Sequence, residues 1–114
     1  MTPAPNRGEV WSVDLNPTKG HEQAGRRPAL VVSTDPFNHG PASLVVVVPL
    51  TTREKDVPLH VHVIPPEGGL KQPSFIKCED VRSVSQERLL HRWGRVSPKT
   101  LAAVASRLRL LLEL

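Results

Sequence analysis

Apolar and polar positions change rhythm along this chain, and the rhythm marks out strands joined by loops. In GEVWSVDL, Trp11, Val13 and Leu15 alternate with Val10, Ser12 and Asp14, which predicts a strand with one face on a core. PALVVS and SLVVVVPL are nearly continuous β-branched runs, suited to strands buried on both faces or inside a small barrel. LHVHVI alternates again, and SFIKCEDV and RWGRV give two further strands. Between them NPTKGHEQAG, DPFNHGP and IPPEGGLKQP gather glycines and prolines, whose special backbone angles mark loops. Short strands at this spacing, without helices between them, favour a small, strongly curved antiparallel sheet or barrel over a parallel α/β fold.

Helical period is confined to two places. SVSQERLL predicts a short helix of one or two turns, because Ser83 and Gln86 have the spacing of a capping box. SPKTLAAVASRLRLLLEL predicts a C-terminal amphipathic helix over about residues 98–112. Ser97 is its N-cap, Pro98 its first residue, and Leu101, Val104, Ala105, Leu108, Leu111 and Leu112 form its apolar stripe. That stripe is expected to pack across the sheet, while Leu110 and Leu114 leave room for a dimer contact. The fold class is therefore mainly β with helices. No repeat or second domain interrupts residues 1–114, and the first residues, about 1–6, are expected to be a loose end.

Composition narrows the partner. The 114 residues carry 15 Lys+Arg against 11 Asp+Glu, a formal charge of +4, which favours a polyanion through long-range attraction. No consecutive basic run marks a nucleic-acid tail or a polybasic membrane anchor. Cys78 is the one cysteine, so no internal disulfide forms, and in SFIKC a small buried thiol is expected rather than a nucleophile. With no apolar leader and no apolar run near 20 residues, a soluble cytoplasmic protein without membrane attachment is the expectation.

The chemistry is not announced by a Walker loop, a dinucleotide fingerprint, a metalloprotease motif or a zinc cysteine pair. His60 and His62 are two apart on a strand and share a face, but no third ligand lies nearby in sequence, so no metal is assigned. Glu54 and Asp56 sit among Arg53 and Lys55, as solvated charge pairs do, and Glu79 and Asp80 lie between Lys77 and Arg82. GHEQAGRRPALVVS is different. Gly20 and Gly25 let the backbone approach a ligand, and Pro28 biases Arg27 toward an extended conformation at a strand entrance. A guanidinium held there can donate two parallel hydrogen bonds to a phosphate. Pairing of Arg26 and Arg27 with Glu22 and a neighbouring carboxylate is the alternative.

These residues carry a resemblance. RGEVWSVDLNPTKGHEQAGRRPALVVS resembles the N-terminal signature of the MazF/PemK toxins, VVPLTTR their second motif, and IKCEDVRSVSQERLLHRWGRV their third, over residues 7–113. The resemblance implies an SH3-like barrel with added helices, a homodimer, and a toxin–antitoxin endoribonuclease that cuts single-stranded RNA at short sequences. The reaction it implies is metal-free attack of the ribose 2′-hydroxyl on the adjacent phosphate, leaving a 2′,3′-cyclic phosphate and a 5′-hydroxyl. It also implies a cognate antitoxin whose acidic, disordered segment covers the RNA groove.

By position, the family's loop arginine falls on Arg27 and its catalytic threonine on Thr51. Lys19, His21, Gln23, Arg26, Arg53, Asp80 and Arg82 are the expected RNA contacts. His21 stands where relatives often carry serine, and an imidazole there either assists proton transfer or tunes RNA contacts from a solvated loop. Aromatic residues are 4% of the chain, so base stacking is sparse or uses arginine faces. Two other readings fit the fold: a gyrase-poisoning toxin of the CcdB type, which needs no Arg27–Thr51 pair, and a non-catalytic SH3-like module that binds nucleic acid.

Overall fold

Among the described residues, β1 (Glu9–Asp14), β2 (Arg26–Val31), β3 (Leu44–Thr51), β4 (His60–Val63), β5 (Ser74–Lys77), β6 (Arg82–Ser85) and β7 (Leu89–Arg95) form one antiparallel sheet. A helical turn, α1 (Asp35–Asn38), lies between β2 and β3, and α2 (Pro98–Leu112) ends the fold. The structure is a computed structural model and describes residues 4–16, 20 and 25–114. The path across the sheet runs β4-β5-β3-β2-β1-β7, with β6 also paired to β3.

The centre of the sheet is β3, whose apolar run suits a strand covered on both faces. One edge pairs with β2, from Ala29 opposite Pro49 to Val31 opposite Val47. The other edge is shared: Leu44–Val47 pair with β6, and Leu50 and Thr51 pair with Ile76 and Phe75 of β5. Val48 and Pro49 fall in the gap between these two ladders, where a proline's missing N–H is tolerated. The 3-10 turn Cys78–Asp80 crosses that gap and breaks the predicted SFIKCEDV strand after Lys77.

Two apolar clusters lie on opposite faces. Trp11, Val13, Ala29, Val31, Val45, Val47 and Val84 form one, and Val10, Leu30, Val48, Leu50, Val61, Val63 and Ile76 form the other. The expectation that β1 has a single core face is thus corrected. Val10 is fully buried opposite Trp11 and Val13, because the coiled sheet turns both sides of β1 inward. Register shifts between β1 and β7 at Val10/Trp11 and Ser12/Val13 sharpen that coil.

Helix α2 covers the second cluster, starting where the sequence places it. Ser97 Oγ accepts the Thr100 N–H at 3.1 Å with Pro98 in the first turn. Val104 is fully buried, and Leu101 and Leu108 pack beside it. The stripe then outruns the sheet: Leu111 and Leu112, expected to pack, are exposed together with Leu110 and Leu114. No helix is long and apolar enough to cross a membrane among the described residues.

Local details differ from the sequence reading in three places. DPFN of the expected DPFNHGP loop winds into α1, and the buried Asn38 donates from Nδ2 to Ser33 O at 3.0 Å. The helix expected in SVSQERLL is a 3-10 turn, Gln86–Arg88, capped by Ser85 rather than Ser83. Ser83 belongs to β6, because pairing with Val46 outcompetes a local cap. Residues 4–6, expected to be loose, pack onto the body: Pro5 is buried and its carbonyl lies 3.2 Å from His39 Nε2.

Buried charge fixes the far end of the sheet. Glu9 accepts from Asn6 N at 2.7 Å, Trp11 Nε1 at 3.1 Å and Arg92 Nε at 2.6 Å. Burial pushes its carboxyl up, but those donors and the Arg92 charge outweigh it and hold the carboxyl below its ordinary value. Glu67, in the 3-10 turn Glu67–Gly69, accepts Ser97 N–H at 3.0 Å and ties that turn to the start of α2. Beside it Gly69 (φ +71°) and Gly94 meet backbone to backbone; a Cβ on Gly69 would lie 2.1 Å from Trp93 O.

Candidate functional site

The site is built from the antiparallel meeting of two strand ends. The β2–β3 pairing covers Ala29–Pro49, Leu30–Val48 and Val31–Val47, and Arg27 and Thr51 each lie two residues beyond its last pair, at the same end of the sheet. Arg27 is opposite Val13 of β1, and Thr51 is opposite Phe75 of β5, which is opposite His62 of β4. Residues opposite one another point to the same face, so Val13 and Arg27 share one row and Thr51, Phe75 and His62 another, and alternation from the Ala29–Pro49 pair puts both rows on the same face of the sheet.

The two ends of the Arg27–Thr51 pair differ in how they are held. Arg27 is the second residue of β2 and is exposed, while Thr51 closes β3 and is 8% exposed. Thr51 Oγ1 accepts the Arg53 N–H at 3.2 Å, which occupies a lone pair and leaves the hydroxyl proton to donate. A guanidinium and a hydroxyl fixed by the backbone, brought to one end of the sheet, are a donor set suited to an oxyanion.

The loop that precedes Arg27 is anchored at its base. Asn16 Oδ1 accepts Gly25 N–H at 3.1 Å, Leu15 N donates to Gly25 O at 3.0 Å, and Gly25 has φ +79°. Arg88 reaches in from the turn before β7 and donates from Nη1 to Asp14 O at 3.2 Å and to Asn16 O. No sequence pattern singled out Arg88, since it joins residues more than 70 positions apart.

The other expected contacts spread around this centre. Arg26, opposite Asp14, and Arg53 are exposed at the same end of the sheet. Arg82 is opposite Val47, four positions along β3 from Thr51, or roughly 13 Å at strand rise. Asp80 lies in the turn between Phe75 and Arg82, with Oδ2 3.9 Å from the Nζ of the buried Lys77. Lys19, His21 and Gln23 lie outside the described residues.

Sequence reasoning treated Phe75 as one of a few sparse aromatics and His62 as half of a metal candidate. His62 instead stacks on Phe75, with ring centroids 4.7 Å apart and planes at 13°. His60 Nε2 lies 2.8 Å from Glu79 Oε2. No cluster of three or more His, Cys, Asp or Glu residues able to hold a metal ion occurs among the described residues. Cys78 is buried; burial and the neighbouring Glu79 charge push its thiol up to about 11, so it is no nucleophile near neutral pH.

Comparison with known proteins gives this geometry its context. Residues 6–112 match the family described as PemK-like, MazF-like toxin of type II toxin-antitoxin system. The chain is 40% identical over 113 residues to Endoribonuclease MazF9 of Mycobacterium tuberculosis, covering 95% of this chain and 96% of that one. It is 31% identical over 109 residues to Endoribonuclease toxin MazF of Escherichia coli K12, covering 95% and 94%. Among solved structures, MazF (Form-I) of Deinococcus radiodurans superposes with a TM-score of 0.89 at 29% identity, covering 99% of this chain and 100% of that one. An endoribonuclease in complex with its cognate antitoxin from Mycobacterial species superposes with a TM-score of 0.81 at 28% identity, covering 97% of each.

Proposed function

Because the chain belongs to the MazF/PemK family of type II toxin endoribonucleases, we propose that it cuts single-stranded RNA by transesterification at the Arg27–Thr51 pair. The observation that supports this reading is the β2–β3 pairing, whose last pair, Ala29–Pro49, lies two residues from Arg27 and two from Thr51 and so brings both to one end of the sheet. The ribose 2′-oxygen attacks the adjacent phosphorus, a P–O2′ bond forms, and the P–O5′ bond breaks. The products are a 2′,3′-cyclic phosphate and a 5′-hydroxyl; no water is consumed.

Arg27 supplies the positive charge that stabilises the five-coordinate phosphorus, and the Thr51 hydroxyl donates to a nonbridging oxygen. Arginine is a poor proton carrier, because its pKa lies above about 12. His21 is the residue proposed to take the 2′-hydroxyl proton or contact the phosphate. The pH–rate profile of His21→Ala tests this: an unchanged shape and rate would leave it only an RNA contact. Arg26, Arg53 and Arg82, with Lys19 and Gln23, hold the strand, and Asp80 accepts from a base amino group.

The experiment is incubation of the purified protein with a mixed RNA pool in chelator, followed by mapping of new 5′-hydroxyl ends. Defined ends in chelator support the reaction and report its sequence preference. Their absence, or loss of cutting without a metal, overturns it. A gyrase poison of the CcdB type would leave the RNA intact.

The cognate antitoxin is proposed to lie over the same basic end of the sheet through an acidic segment, as charge complementarity favours. The apolar end of α2, with Leu110 74% and Leu114 84% exposed, supports assembly as a homodimer.

A further inference from the structure

The cross-strand row does not end at Thr51. Phe75 is one strand beyond it and His62 two, which puts their backbones about 5 Å and 10 Å from that of Thr51. His62 is exposed and Phe75 half-buried, so their near-parallel stack reaches solvent. Both rings line a cleft of about 140 Å³ whose other walls are Glu54, Asp56, Val57 and His60. The His60 side chain is 4% exposed and its Nδ1 has no hydrogen-bond partner among the described residues. A buried polar atom left in that state costs free energy.

We infer that the His62–Phe75 stack is the platform for a nucleobase flanking the scissile phosphate, and that Glu54 and Asp56 select a base carrying an exocyclic amino group. The inference rests on the proposed role of Arg27 and Thr51 in holding that phosphate. A single strand exposes base faces, and flat rings are the surface such faces prefer. The acidic wall repels phosphate, so the backbone stays over the arginines while the base turns toward the stack. A carboxylate accepts from an amino group and rejects a keto oxygen, which favours cytosine, adenine or guanine over uracil.

The test uses the full chain and RNA containing the mapped cut site, with a 2′-deoxyribose at the scissile nucleotide so that it cannot be cut. 2-Aminopurine is placed in turn at each nucleotide flanking that site, and its fluorescence is titrated with wild type, His62→Ala, His62→Tyr, Phe75→Leu and Arg27→Ala. Stacking predicts quenching at one flanking position. It is lost in His62→Ala, weakened in Phe75→Leu, restored in His62→Tyr and retained at saturation in Arg27→Ala.

On cleavable RNA, His62→Ala is expected to lower kcat/KM roughly 5- to 150-fold, the worth of one stacked base. Glu54→Gln with Asp56→Asn is expected to flatten the preference for an amino base at the same position. Unchanged quenching and unchanged flanking preference in His62→Ala, with an unchanged urea midpoint, would overturn the platform. Full cleavage by Arg27→Ala would remove the phosphate from the row, and with it the placement of the base; that failure is read in rate alone and is separable from a lost stacking signal.

Discussion

Glu9 is a buried carboxylate with three hydrogen-bond donors, and replacing it is a sharp test of what holds β1 against β7. Its side chain is 6% exposed, and it serves Asn6 N, Trp11 Nε1 and Arg92 Nε, with Arg95 Nη2 at 3.9 Å. In Glu9→Ala the buried indole N–H loses its acceptor, at about 1–3 kcal/mol, and the half-buried Asn6 N–H adds about 1 kcal/mol. The Arg92 side chain is 50% exposed and rehydrates, so the lost ion pair adds no more than about 1 kcal/mol. The expected loss is about 2–5 kcal/mol. Glu9→Gln keeps an acceptor for Asn6 and Trp11 and is expected to lose only about 1 kcal/mol.

Urea unfolding at fixed protein concentration, followed by tryptophan fluorescence, reads both values. With a slope of about 1–2 kcal/mol/M, Glu9→Ala lowers the midpoint by roughly 1–5 M. The pH dependence follows from the direction of the shift. Because the folded carboxyl lies below its unfolded value of about 4.3, its contribution is complete above that value and is lost as pH falls through the folded one. The gap between wild type and Glu9→Gln is therefore present at pH 7 and closes as the pH falls below the unfolded carboxyl's value of about 4.3 and through the lower folded one. A Glu9→Ala variant within about 0.5 kcal/mol of wild type, or a gap that stays constant on acidification, would refute the account.

Three further outcomes are expected. Arg27→Ala lowers the cleavage rate about 10²- to 10³-fold and Thr51→Val about 10- to 10²-fold in single-turnover assays. Arg27→Lys stays deficient, because an ammonium cannot donate two parallel bonds. Since Arg27 is exposed, its variants keep the wild-type urea midpoint. Gly69→Ala, whose Cβ meets Trp93 O and whose φ is +71°, destabilises by more than about 2 kcal/mol in the same unfolding assay. Native Cys78 resists a thiol reagent such as Ellman's at pH 8, because its thiol is buried and pushed up to about 11, and it reacts once the chain is unfolded in urea.

Local signals carried much of the fold. Alternation and β-branched runs marked β1 to β4, and the Ser97–Pro98 start with its 3.6-residue stripe marked α2, because these depend on neighbours within a few positions. Arg27 was marked by its own loop, at a strand entrance before Pro28, whereas Thr51 was marked only by the resemblance of its motif to a family. No spacing in the chain says that residues 24 positions apart come to one end of a sheet.

Tertiary structure decided the rest. Ser83 has the spacing of a helix cap, yet pairing with Val46 draws it into a strand. Val10 looked outward in the alternation, yet the coiled sheet buries it. His62 and Phe75 are ordinary residues in sequence, and they form a row with Thr51, on the face that Arg27 shares, only because β4, β5, β3 and β2 lie side by side in one sheet. The sequence by itself determined which segments become strands and helix and which loop is rich in charge. Strand register, which is set by long-range packing and flips a side chain's face with every one-residue slip, decided which residues share a site.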